Sequence, residues 1–231
     1  NRKQDATVLS MQKMLERAVA LKQESVGLIK EFEAMRTIPH NLRVIASRIE
    51  PAGGPVTVLS QNYSTMSRSM SEWFEAHVLG EKSNFASIKG TVNNCLFAEC
   101  MSFVMRECNE QFLNERRTLG NIDADVESGI LKKISADRVA EAHSGLKDVR
   151  AEADRILQAC SVMHRHFLGL SSTRVRCKVE MALVPETGET LTDIIDQLAD
   201  FQARISEKLD HIVQLSNEIQ SQEFSARQIE A

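Results

Sequence analysis

Apolar residues along this chain recur at alternating spacings of three and four, the period of a helix seam that stays turned toward a partner helix. The first seam runs Met11, Met14, Ala18, Leu21, Ser25, Leu28, Phe32, Met35, Pro39, Leu42, Ala46 and Ile49, with Ser25 and Pro39 as its non-conforming members. A second runs Leu146, Val149, Ala153, Ile156, Cys160, Met163, Phe167 and Leu170. A third runs Leu191, Ile194, Leu198, Phe201, Ile205, Ile212, Leu215 and Ile219, with Lys208 interrupting it. Between the first two lies a less regular helix, from about Val56 to Arg117. Its seam opens with Leu59, Tyr63, Met66, Met70 and Trp73, blurs around Gly80, and resumes near Ile88, Val92 and Cys95.

Breakers divide these helices at three places. Pro51-Ala52-Gly53-Gly54-Pro55 and Val184-Pro185-Glu186-Thr187-Gly188 combine proline with glycine, and Leu119-Gly120-Asn121-Ile122-Asp123 is a third turn. Pro39 predicts a kink or a helix restart inside the first seam, with Thr37 as a cap. The middle turn lies about equally far from the other two, so the second and third helices have nearly equal length, about 90 Å each at a rise of 1.5 Å per residue. The predicted fold is all-α: an elongated antiparallel four-helix bundle of coiled-coil type, built from two hairpins in a pseudo-dimeric arrangement. Residues 1–118 form the first hairpin, with its tip near 51–55. Residues 119–231 form the second, with its tip near 184–189, and both tips share one end.

Composition supports long narrow helices over a compact enzyme core. Hydrophobic residues make up 42% of the chain but aromatics only 5%, and 4 prolines and 10 glycines leave long stretches unbroken. The net charge of −4 is mild and interspersed, and the basic pairs Arg116-Arg117 and Lys132-Lys133 sit beside acids, so nucleic-acid binding has little electrostatic support. No apolar run approaches the roughly 20 residues of a membrane span. Five cysteines without a CxxC pair fit a reducing, cytoplasmic setting, where Cys95, Cys100 and Cys108 read as core residues. The start at Asn1, without Met or a signal pattern, reads as a piece of a longer protein.

The two tips are also related to each other. Ile45-Ala46-Ser47-Arg48-Ile49-Glu50-Pro51-Ala52 and Val175-Arg176-Cys177-Lys178-Val179-Glu180-Met181-Ala182 both read basic, β-branched aliphatic, Glu, any residue, Ala before the chain reverses. After the turns, Leu59, Tyr63, Met66 and Met70 match Ile194, Leu198, Phe201 and Ile205 in spacing. Such repetition fits a duplicated hairpin. The plainer account of Arg48, Glu50, Lys178 and Glu180 is solvated charge near helix ends.

Asn41, followed eight positions on by Ile49-Glu50 and then Pro51-Ala52, with Val58 to Tyr63 after the reversal, resembles the cytoplasmic signalling hairpin of bacterial methyl-accepting chemotaxis receptors. The resemblance covers roughly residues 38–66, with an echo at 174–205. The turn through Gly53, Gly54 and Pro55 is shorter than the family's, Asn62 stands where the family has Glu, and Tyr63 replaces an aliphatic. The resemblance implies a non-catalytic signalling module with no cofactor. Its tip residues Asn41, Arg48, Glu50, Asn62, Lys178 and Glu180 would meet a protein partner, a histidine kinase or its coupling protein. The chain would work as a single-chain pseudo-dimer or as a homodimer.

His40 is the strongest chemical candidate. His40-Asn41-Leu42-Arg43 is similar to the phosphoacceptor box of dimerising histidine-kinase domains, while no Gly-rich phosphate loop accompanies it. The alternative is a histidine on a helix surface. His143, followed by Ser144-Gly145-Leu146-Lys147, is a fainter phosphotransfer match, because the glycine moves Leu and Lys to another face. His164 and His166 point to different sides of a helix and cannot share a metal, and Cys160 lies on the seam. Trp73 beside Phe74 reads as a packing anchor. A purely structural coiled coil is the remaining reading.

Overall fold

The computed structural model describes residues 2–49, 54–81, 83, 85, 88–114, 124–181 and 188–221. Among them every regular element is helical: α1 (Arg2–Met35), α2 (Thr37–Ile49), α3 (Pro55–Phe74), a π turn (Glu75–Leu79), α4 (Ile88–Asn114), α5 (Ala124–Met181) and α6 (Gly188–Ser221). No helix among the described residues is long and apolar enough to cross a membrane.

The expected interruption of the first seam falls at Arg36, whose amide donates to the Glu33 carbonyl at 3.1 Å before α2 restarts. Pro39 is the third residue of α2, where a missing N–H costs no intrahelical bond. The Pro39 carbonyl also accepts from Ser60 Oγ of α3 at 2.6 Å. Seven residues further along α3, Ser67 Oγ donates to the Phe32 carbonyl at 3.0 Å, which fixes α1–α2 and α3 as antiparallel neighbours. At the start of α3, Gly54 takes an extended conformation (φ −64°, ψ 168°) and Pro55 supplies the first helical residue.

Helix five carries 58 residues without a break, about 87 Å at 1.5 Å per residue. Its counterpart does not match it, and the expectation of a single helix from Val56 to Arg117 is corrected here. After Phe74 the chain widens into the π turn, closed by Gly80 N–H donating to the Glu75 carbonyl five residues back at 2.8 Å. A side chain at Gly80 would collide with the Ala76 carbonyl, so this closure needs glycine. Ser83 Oγ then donates to the His77 carbonyl at 2.5 Å, and the buried rings of Phe74 and Phe85 fill the gap. Trp73 stacks on His77 at 4.2 Å and meets Phe74 edge-on at 5.2 Å, so it does anchor the break.

Consecutive segments are neighbours: α2 on α3, α4 on α5, α5 on α6, and α3 also on α5. The last helix returns to the first. Arg17 pairs with Glu218 at 2.8 Å, Glu24 with His211 at 3.3 Å, and Glu31 with Arg204 at 3.4 Å, so each step of seven up α1 is a step of seven down α6. That ladder continues into contacts between α2 and α6, which brings the end of α2 to the start of α6. On the other flank of α6, His164 meets Asp210 at 3.3 Å and Lys178 meets Asp196.

The seams of α1–α2 and α5 are buried as their spacing predicts, apart from Ile49, which is partly exposed. The α6 seam is corrected. Its inward positions are Leu191, Ile195, Leu198, Gln202, Ile205, Leu209, Ile212, Ser216 and Ile219, an unbroken alternation of four and three. Ile194 and Phe201 lie at the margin, with Arg204 over the Phe201 ring at 4.2 Å. Lys208 interrupts nothing, because Leu209 fills that layer and Lys208 lies over Gly27 of α1. The cysteines divide as well: Cys95, Cys160 and Cys177 are buried, whereas Cys100 is exposed and Cys108 is half-buried, contrary to their reading as core.

Candidate partner surface, polar layer and cleft

The tip residues singled out by the sequence fall into separate surroundings. Asn41 and Arg48 are exposed on α2, Asn62 is exposed on α3, and Glu50 lies outside the described residues. Lys178 pairs across to Asp196 of α6, and Glu180 accepts from Arg176 Nε of its own helix at 2.9 Å. His40 is exposed on α2, whereas its neighbours Pro39 and Leu42 are buried. The described ones among these residues therefore lie toward one end of the molecule but form no convergent pocket.

What this end does present is apolar. On α5, Leu168, Val175 and Val179 are 71%, 58% and 65% exposed, at spacings of seven and four. That is a heptad seam on the side of α5 turned away from its own core. Arg176 and Lys178 flank it, and Val44 of α2 and Val58 of α3 are exposed in the same half of the molecule. Aliphatic side chains at this spacing are what a helix offers to another helix.

Behind that surface lies a buried polar layer that sequence reasoning missed. Gln202 of α6 points inward, and its Oε1 accepts from the Tyr63 hydroxyl at 2.9 Å and from Arg174 Nη1 at 2.7 Å. Its Nε2 donates to the Phe167 carbonyl at 3.0 Å and to Ser171 Oγ at 2.7 Å. Both ends of the amide are thereby satisfied, and α3, α5 and α6 are tied at one level. Burial pushes the Tyr63 hydroxyl above its usual pKa, and the Arg174 guanidinium pulls partly against it. The only sequence signal for this layer was an unbroken four-three alternation that tolerates one glutamine.

Next to the layer, α3 and α5 part to leave a cleft of about 570 Å³. Its floor is Met66, Met70 and Leu170, and its rim includes Asn62, Thr65, Ser69, Thr173, Arg165 and His166. No carboxylate lines it. Among the described residues, no group of three or more His, Cys, Asp or Glu side chains could hold a metal ion. His164 is engaged by Asp210, and Cys160 is buried in the core with its thiol pushed up to about 12. His143 is held below its ordinary pKa by burial and by Lys147.

Comparison with known proteins finds no matching family model, no matching curated protein and no matching solved structure.

Proposed function

We propose that the four antiparallel segments form one elongated four-helix bundle of two hairpins, and that this rod relays a conformational change to a protein partner docked at its tips. The observation that carries the reading is the heptad-spaced stripe of Leu168, Val175 and Val179, exposed on α5 and running toward the tip. An aliphatic seam left uncovered among the described residues suits a helical segment of another protein. Two features support transmission along the rod. The Gln202 layer ties three helices together just behind the stripe, and the π turn with its glycine closure breaks the second rod further from the tips. Shear between packed helices is a common form of such relays.

The resemblance of residues 38–66 to a chemoreceptor hairpin makes a chemotaxis-type histidine kinase with its coupling protein the partner to test. Kinase autophosphorylation is measured with and without the chain, and again with the Val175→Lys/Val179→Lys variant. This reading expects a several-fold change in rate that the variant abolishes; an unchanged rate with the native chain rejects it. A histidine phosphoacceptor is the second reading, favoured by the exposure of His40 on α2. Incubation with acetyl phosphate would place an acid-labile label on His40, and its absence rejects that reading.

A further inference from the structure

We propose that the cleft between α3 and α5 is a binding site for a small organic anion, a molecule with an apolar body and a single carboxylate, sulfonate or phosphate head. This does not rest on the tip reading and concerns a different face of α5.

Three independent observations converge on that chemistry. The first is shape. The lining runs from Asn62 to Met70 on α3, nine residues or about 12 Å of helix, which matches a small molecule and is too short for a docked helix. The floor residues Met66, Met70 and Leu170 are nearly buried, at 8%, 7% and 6% exposed, and give the cleft an apolar base. Methionine pairs of this kind adapt to varied apolar shapes.

The second is charge. Arg165 and His166 both line the cleft, and neither has an ion-pair partner among the described residues. Arg174, one position beyond the lining residue Thr173, is partly buried and donates to the neutral oxygen of Gln202. In a chain with a net charge of −4, the one fully charged side chain lining this opening is thus the cation Arg165, and no carboxylate lines it. Hydroxyl and amide groups on the rim add donors for an anionic head.

The third is Gly169. A Cβ built there meets nothing within 4 Å, so no packing demand explains a glycine in the interior of α5. Gly169 lines the cleft, so a larger side chain at this position would project into its open space.

The test uses 1-anilinonaphthalene-8-sulfonate, which has an apolar body and one anionic head, beside the uncharged N-phenyl-1-naphthylamine. Fluorescence titration of the full chain is expected to show saturable binding of the sulfonate at one site. Arg165→Gln/His166→Gln should weaken the sulfonate at least fivefold and leave the neutral probe within twofold. Gly169→Leu should abolish both, and Gly129→Leu, equally free of neighbours in the same helix, should change neither. Circular dichroism checks that each variant keeps its helices. Unaltered binding in Gly169→Leu, equal weakening of both probes by Arg165→Gln/His166→Gln, or unsaturable binding would overturn the proposal.

Discussion

The hydroxyl of Tyr63 donates to Oε1 of Gln202 at 2.9 Å, although the two residues stand 139 positions apart in the chain. The bond joins the third helix to the sixth inside a largely apolar core. A satisfied polar layer of this kind sets register at some cost in stability compared with an apolar one.

Tyr63→Phe removes one donor and leaves Gln202 Oε1 with Arg174, so the expected loss is about 1 kcal/mol. Gln202→Leu leaves Tyr63, Ser171 and Arg174 without their shared partner and is expected to cost about 2–4 kcal/mol. The double variant should cost less than the sum of the two, because Tyr63→Phe removes the hydroxyl that Gln202→Leu alone would strand. Urea denaturation of the four proteins measures this, and strict additivity would show that the two residues do not act together.

The corrected register of α6 gives a sharper contrast between adjacent positions. Leu209→Ala opens a cavity in the core and is expected to cost about 2–5 kcal/mol. Lys208→Ala, which shortens a half-buried stem lying over Gly27, should stay within about 0.5 kcal/mol. Thermal melts of both variants decide between this register and one shifted by a residue.

That shift shows where the sequence stopped being legible. A template that looks for apolar residues takes Phe201 over Gln202 and Ile194 over Ile195, since it has no means of seeing that a glutamine can be satisfied inside. The α5 seam was legible throughout, because an unbroken alternation of three and four runs from Leu146 to Leu170 even though Leu157, Val162 and Leu168 stand beside its members. Pro39 marked the α1–α2 interruption because proline acts locally. The break after Phe74 was visible only as a blurred seam near Gly80, for a π turn depends on backbone bonding and on packing by Phe85. The cleft was invisible, because the separation of α3 from α5 follows from how the packed helices settle against one another.

The cysteines should react in an order set by burial. Cys100 is exposed and should be alkylated first at pH 8, followed by half-buried Cys108. Burial pushes the Cys95 thiol up to about 11 and that of Cys160 to about 12, so both should react only after unfolding. These raised values also fix a sign. The folded chain holds the two protons more tightly than the unfolded chain does, so their stabilising contribution is complete below the ordinary value of 9.0 and is lost as pH rises toward 12. Mass spectrometry of timed alkylation and alkaline denaturation curves check the two statements.

Gly145 and Gly129 occupy the same helix and should respond oppositely. A Cβ at Gly145 would run into Thr91 Oγ1 of α4, so Gly145→Ala should destabilise by about 1–3 kcal/mol. At Gly129 nothing lies within 4 Å, and Gly129→Ala should stabilise by up to about 1 kcal/mol through helix propensity. If Thr91→Ala rescues Gly145→Ala, the close approach of α4 and α5 is the cause.

The central claim is that both hairpins pack into one antiparallel rod with their tips at the same end. Electron–electron resonance between ketoxime spin labels on p-acetylphenylalanine at Arg48 and Lys178, which leaves the native cysteines unlabelled, measures it directly. Helix rise and interaxial spacing place these positions about 20 Å apart before the label arms are added. Labels at Arg48 and Arg138 should be about 60 Å or more apart, since 40 residues of α5 separate Arg138 from Lys178. A short first distance with a long second one is the predicted result; an Arg48–Lys178 distance equal to or longer than that from Arg48 to Arg138 would contradict the account.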